Sequence, residues 1–395
     1  MEALQDLKVL ELGQLIAGPF AGRMLADFGA DVIKIENVSG GDPLRRWRVM
    51  RGDSSLWWEV QSRNKRSVAL DLHEEGDREL VRALAAEADL VIENFTPGRL
   101  EGWGLGWESL HRSNPGLVML RISGYGQDGP YASRPGFGVV GEAMGGLRHL
   151  TGEPGRTPVR CGISIGDSLA AMHGLFGALA ALRHAERTGE GQVVDVALYE
   201  SVFNVTESLL PEYTEAGIVR EATGSTLPGI APTNAYRCGD EGLVLVAGNG
   251  DRIFRDLMRL IGREDLADDP ALAHNDGRAE RADELDAAIG EWTAGRSTEE
   301  ALNALAEAKV PSGRVYTIAD IAADPHYRAR GMLVECETVG GASITLPGIV
   351  PRLSATPGRI RSPAPALGQH DDEIKGAASW PERGAGTAGV PGESP

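Results

Sequence analysis

The chain has 395 residues and a formal net charge of −18, from 39 basic and 57 acidic side chains. That length exceeds one compact core and predicts two domains, while the acidic balance argues against a nucleic-acid or anionic-membrane surface. Cys161, Cys238 and Cys336 lie far apart and give neither a metal spacing nor a disulfide framework, so no metal is expected. With no leader-like start and no long apolar span, a reducing cytoplasm is the expected location.

Val9 to Leu12 reads as a short buried strand, Gly18 to Phe28 as a helix stopped at Gly29, and Asp31 to Glu36 as the next strand. The cycle repeats with Ser67 to Leu72, a helix from Glu75 to Glu87, Leu90 to Glu93 and Leu117 to Ile122. Strands alternating with helices of this length predict right-handed crossovers and a Rossmann-like parallel sheet, an α/β fold. The first turn, Gly13-Gln-Leu-Ile-Ala-Gly18, lacks the G-x-G-x-x-G spacing, so a dinucleotide-dependent dehydrogenase is unsupported. Between Arg45 and Arg66, seven cations (Arg45, Arg46, Arg48, Arg51, Arg63, Lys65 and Arg66) face only Asp53 and Glu59. Such a stretch suits an anionic ligand, and it reads equally as a solvated basic surface.

Leu169 to His184 is rich in Ala, Leu and Gly and predicts a helix buried nearly all round. A strand over Val193 to Leu198 and a helix over Tyr199 to Ala216 follow. Thr223 to Pro232 is an irregular connector. Beyond it come a hairpin over Tyr236 to Val246 and charged helices over Asp251 to Ile261, Arg281 to Thr293 and Thr298 to Ala308. These predict a smaller α+β domain. The expected division is a large domain over 1–222, a small one over 223–328, a return segment over 329–375 and a disordered Gly/Pro/Ala-rich tail over 376–395.

Asp167 stands out, in Cys161-Gly-Ile-Ser-Ile-Gly-Asp-Ser168, read as a turn from an apolar run into a helix. A carboxylate there feels the positive end of the helix and stays ionised, and the glycine before it admits another backbone. A helix cap uses the same residue type at the same place.

Other pieces surround it in a fixed order: Leu7-Lys-Val-Leu-Glu-Leu12, Ala17-Gly-Pro-Phe-Ala21, Leu25 to Glu36, Asn64-Lys-Arg-Ser67 and Glu93-Asn-Phe-Thr-Pro-Gly98. Ile122-Ser-Gly-Tyr-Gly-Gln-Asp-Gly-Pro130, Gly166-Asp167, Arg187-Thr-Gly-Glu-Gly-Gln192 and Leu367-Gly-Gln-His370 complete the set. Over about residues 5 to 375 the chain resembles the family III coenzyme A transferases, which include the 2-methylacyl-CoA racemases. The resemblance implies an interlocked homodimer, no permanently bound cofactor, and acyl-CoA and a small carboxylic acid as the partners. It also implies a CoA transferase working through an aspartyl anhydride and an aspartyl-CoA thioester on Asp167.

By position in the family, CoA would be met at Ile16, Asn37, Arg63, Lys65, Arg66, Asn94, Phe95, Arg99 and Phe137. A substrate loop would fall at Gly248, Asn249 and Gly250. Where the formyl-CoA:oxalate enzymes carry arginines, this chain has Asn37 and Gly102, which leaves the phosphates to Arg99 or to the 45–51 cluster. The racemase branch needs a histidine where Phe137 stands, and phenylalanine has no proton to give. His149 and His173 are the alternatives for that role, and each reads more simply as a packed, hydrogen-bonded histidine. A silent acyl-CoA-binding relative and a general nucleotide-binding scaffold are the remaining readings. The resemblance favours succinyl-CoA or formyl-CoA as donor and a small carboxylic or dicarboxylic acid as acceptor, with Arg252 a candidate for a second carboxylate.

Overall fold

The computed structural model describes residues 2–377 and 379–382, grouped into two compact units. The first comprises Met1–Arg148, Cys161–Glu207 and Pro325–Pro395; the second comprises His149–Arg160 and Ser208–Asp324.

Six parallel strands build the first unit: β1 (Lys8–Glu11), β2 (Asp31–Asn37), β3 (Lys65–Leu70), β4 (Leu90–Glu93), β5 (Val118–Ser123) and β6 (Val193–Ala197), in the order β3-β2-β1-β4-β5-β6. Neighbouring residues along each strand point to opposite faces. Val9, Val32, Leu90 and Val118 therefore enter one core, and Leu10, Ile33, Val91 and Met119 enter the other. Burial on both faces is why apolar residues fill both alternating positions of the strands, interrupted by the buried charges Lys34, Lys65, Arg66 and Arg121. Helices α1 (Ala17–Asp27) and α4 (Ile165–Thr188) cover the first face; α2 (Glu75–Ala85) covers the second. Helix α3 (Gly138–Met144) precedes α4, and α5 (Leu198–Phe203) follows β6.

Residues His149–Arg160 group with the second unit, outside the expected boundary at 223. Their backbone is tied there: Gly224 N–H donates to Gly152 C=O at 2.9 Å. The single helix expected over Tyr199 to Ala216 is two, α5 and α6 (Leu209–Ala216), because the chain turns between them with Glu207 at φ 54°. Strands β7 (Thr233–Arg237), β8 (Leu243–Ala247) and β9 (Ser312–Arg314) form an antiparallel sheet. Helices α7 (Asp251–Leu260), α8 (Ala282–Ala294) and α9 (Thr298–Glu307) pack Leu257, Ile289 and Leu305 against it.

Two further expectations need correction. Helix α4 buries only one side within the chain: Met172, Phe176 and Leu179 face outward, with Phe176 79% exposed. In the expected tail, 376, 377 and 379–382 are described, and Trp380 is buried with its indole N–H on Asp31 at 2.8 Å. Residues 383–395 of that tail lie outside the described residues.

Candidate active site

In a sheet of this order the strand sequence reverses between β1 and β4, and the crevice at the carboxyl ends of those strands is where ligands sit. The β1–α1 turn and the β4 end are locked across that crevice. Gln14 N–H donates to Asn94 Oδ1 at 2.7 Å, and Asn94 Nδ2 donates to Gln14 C=O at 2.8 Å. A side chain at Gly13 would be crowded, since a Cβ would stand 3.1 Å from both Asn94 Oδ1 and the Gly18 Cα. The Asn94 side chain thus ties the two edges of the crevice together at its floor, and its neighbour Phe95 lines the wall.

Above that floor is a small cavity of about 50 Å³, lined by Gln14, Asn37, Leu72, His73, Phe95 and Trp103 among others. Phe95 and Trp103 meet edge to face at 5.5 Å between ring centroids, and the Arg99 guanidinium lies 5.1 Å over the Trp103 ring. Asn37, Phe95 and Arg99 are therefore brought together. Ile16, half-buried at the N-terminal end of α1, accepts Gln61 Nε2 on its carbonyl at 3.0 Å. His73 and Trp103 were not singled out in the sequence; the aromatic directly after Gly102, four residues past Arg99, was the available signal. Glu93 fixes the corner from below. Its carboxylate accepts Phe95 N–H and Arg121 Nε, both at 2.7 Å, and burial raises its pKa.

The basic run divides sharply. Arg63 donates through Nε and Nη2 to both oxygens of Asp27, and Lys65 Nζ reaches Glu11 and the Pro19 carbonyl, each at 2.7 Å. Arg66 is held by Asp31 and Glu373. All three are buried, and each charge is met by a carboxylate, so the expectation that they contact CoA phosphates is corrected. A lone buried cation would be untenable, and the acids that match these three come from β1, the end of α1, the start of β2 and the C-terminal segment, far away in sequence. Burial lowers the Lys65 pKa to about 8, against the pull of Glu11. Arg46 and Arg51 instead donate to the Gly40 and Ser343 carbonyls and line a separate cavity of about 620 Å³.

Asp167 stands in the first turn of α4, whose N-cap is Ser164. It is the third residue of the helix, so the cap reading is corrected, and the apolar run before it forms no strand. Because α4 crosses back between the parallel strands β5 and β6, its N-terminus lies at the carboxyl edge of the sheet, the same edge as the crevice. Gly138, the first residue of α3, is pressed against the carboxylate: a Cβ there would stand 1.9 Å from Asp167 Oδ2. The same helix face carries Gly141 against Leu198 and Gly145 against Val202. This glycine row lets α3 lie flat on α4 and α5, and delivers Phe137, 64% exposed, to the residue before the contact. Asp167, Gly138 and Phe137 form one corner.

His149 Nε2 is 3.1 Å from Glu221, and the His173 ring faces the Leu169 carbonyl and Asn204. His173 is hydrogen-bonded, as the simpler reading held, whereas His149 is exposed beside Glu221 and not packed. In the second unit, Gly248 packs on Pro232 and Leu257, Gly250 caps α7, and the Asn249 carbonyl accepts Arg278 Nη2 at 2.7 Å. Arg252 is an exposed side chain 3.6 Å from Asp256, on its own helix. No group of three metal-binding side chains occurs among the described residues.

Residues 4–371 match CoA-transferase family III. The chain is 48% identical to the succinyl-CoA–D-citramalate CoA-transferase of Chloroflexus aurantiacus over 94% of its own length and 92% of that protein. It is 36% identical to the succinate–glutarate CoA-transferase of Agrobacterium fabrum, over 97% of each chain. A crystal structure of a CaiB/BaiF family protein from Brucella suis superposes with a TM-score of 0.84 at 35% identity, covering 96% of this chain and 100% of that one. The chain belongs to CoA-transferase family III.

Proposed function

We propose that this enzyme moves CoA from succinyl-CoA to a short dicarboxylic acid, with hydroxylated acids such as malate or citramalate the preferred acceptors. Asp167 is the nucleophile. The observation that carries this is the seating of its carboxylate at the head of α4 against a glycine that leaves no side chain in the way. The acceptor assignment draws on relatives named for succinyl-CoA with citramalate or malate, and on one named for succinate and glutarate.

The steps balance without an outside reagent. The Asp167 carboxylate attacks the thioester carbonyl, the C–S bond breaks, and CoA leaves as thiolate, giving a mixed anhydride. The thiolate then attacks the aspartyl carbonyl and expels succinate. The acceptor carboxylate displaces the thiolate from the aspartyl thioester, and the thiolate attacks the new anhydride at the acceptor carbonyl. Asp167 is regenerated as a carboxylate. The positive end of α4 favours that ionised start and end state.

CoA is placed at the switch-point crevice, with Phe95, Asn37 and Arg99 about its nucleotide end and Gly248, Asn249 and Gly250 kept as substrate-loop residues. Homodimers, interlocked as the resemblance implies, are part of the proposal. The outward apolar row Met172, Phe176 and Leu179 supports them, since a face of that kind marks an interaction surface. A cytoplasmic location suits three cysteines that form no disulfide.

The test is product analysis after mixing with succinyl-CoA and a panel of acids. Malate, citramalate or glutarate should take up CoA, and Asp167→Asn should lose roughly 10⁴-fold or more of the rate. Transfer confined to branched monocarboxylic acids would overturn the acceptor assignment.

A further inference from the structure

The β1–α1 turn is held by a buried ion pair that the transfer chemistry does not use. Leu15 sits in this turn at φ 64°, a left-handed conformation that a branched side chain adopts only when its surroundings over-determine it. Its N–H donates to both carboxylate oxygens of Asp42, each at 3.1 Å. Lys34 Nζ donates to the Gly13 carbonyl at 2.7 Å and bridges Asp42 at 3.0 Å and Glu11 at 2.9 Å. Lys34 is wholly buried and Asp42 nearly so. With Asn94 on Gln14 and Gln61 on Ile16, four consecutive residues each have a backbone atom tied to a side chain of another element.

Burial acts to raise the Asp42 pKa, but Lys34 and the N–H groups of Leu44 and Leu15 hold it below the usual carboxylate range. Burial likewise opposes the Lys34 charge, and Glu11, Asp42 and Glu36 together raise its pKa. The pair is ionised at neutral pH.

We propose that Lys34 and Asp42 are positioning residues for acyl-CoA, holding the Gly13–Ile16 turn in the one conformation that keeps the switch-point crevice open. They act through the turn and touch no reacting atom. This rests on the reading that the crevice takes CoA. If Asp42 loses its charge, Lys34 keeps one carboxylate instead of two, and Leu15 is released toward negative φ. The turn then moves into the space beside Gln14 and Phe95.

The experiment is calorimetric titration of the full chain with CoA, beside steady-state kinetics with succinyl-CoA and thermal midpoints. Asp42→Asn should weaken CoA about tenfold and raise KM in parallel, with kcat within about threefold. Leu15→Gly added to Asp42→Asn should restore most of the affinity, because glycine adopts φ 64° without strain. Unchanged CoA affinity in Asp42→Asn, or a loss that glycine does not relieve, would overturn the proposal. Asp42→Glu keeps the charge but displaces the acceptor, so it serves if Asp42→Asn does not fold; it should weaken CoA measurably, and unchanged affinity would count against the pair. Phe95→Ala separates the two readings. If it leaves CoA binding intact, the crevice assignment fails; if it weakens binding while the Asp42 variants do not, the positioning role fails.

Discussion

Gly138 and Asp167 are 29 residues apart in sequence, yet one is shaped by the other. A methyl group on Gly138 would overlap a carboxylate oxygen, so Gly138→Ala must push the Asp167 carboxylate or tilt α3. A displacement near 1 Å at a reacting group costs about 10²-fold in rate. Gly138→Ala is therefore expected to lower kcat by roughly that factor while the protein stays folded, read by circular dichroism beside the transfer assay. Wild-type kcat in that variant would mean that the carboxylate corner is not where the reaction occurs. Asp167 was visible in the sequence because a carboxylate behind a glycine at a helix head is a recognisable pattern. Gly138 was not, because the demand on it comes from a side chain that only the fold brings near. Arg63, Lys65 and Arg66 misled for the same reason: their counter-ions Asp27, Glu11 and Asp31 precede them by dozens of residues.

At the scale of elements, the strands were legible because burial on both faces puts apolar residues at adjacent positions, as in Val9-Leu10, Val32-Ile33 and Leu90-Val91-Ile92. Leu90–Glu93 falls where the pattern puts it, and β1, β2 and β5 shift by a residue or so. The start of α4 was read four residues late, since Ile165-Gly-Asp-Ser168 carries turn-like residues inside its first turn. The return segment was expected only through the family resemblance, and the attachment of His370 to β3 has a pH signature. Ser67 N–H donates to His370 Nδ1 at 3.1 Å, and His370 N–H donates to the Ser67 carbonyl at 3.0 Å. The ring must be neutral at Nδ1 to accept that bond. Burial lowers its pKa below 6.5, with Arg66 adding to the shift and Glu373 opposing it. The unfolded chain then binds more protons, so this contribution to stability is present above about pH 6.5 and is lost as pH falls toward the folded-state value. Thermal midpoints measured from pH 7.5 to 5.5 should fall more steeply for the natural chain than for His370→Asn. Parallel curves would show that the ring does not titrate in this window.

For the whole molecule, the large sheet could be foreseen from alternation alone, and the two-unit division only in outline. Segment 149–160 groups with the second unit, tied by the Gly224–Gly152 backbone hydrogen bond, which leaves no mark on composition. The exposure of one side of α4 was not legible because an apolar helix looks the same in sequence whether or not its own chain covers every side. Phe176→Glu places a charge in the middle of that face and should convert a dimer to monomer or lower-yield aggregate in light scattering, with a retained dimer contradicting the assignment.

All of the proposed chemistry passes through covalent intermediates on one side chain, Asp167. The measurement that tests it most directly is the intact mass of the enzyme mixed with succinyl-CoA and trapped with hydroxylamine, beside Asp167→Ala, with the modified peptide sequenced. An adduct on Asp167, absent from the variant, is the predicted result. Turnover of succinyl-CoA with no adduct at Asp167, or with the same adduct in Asp167→Ala, would contradict it.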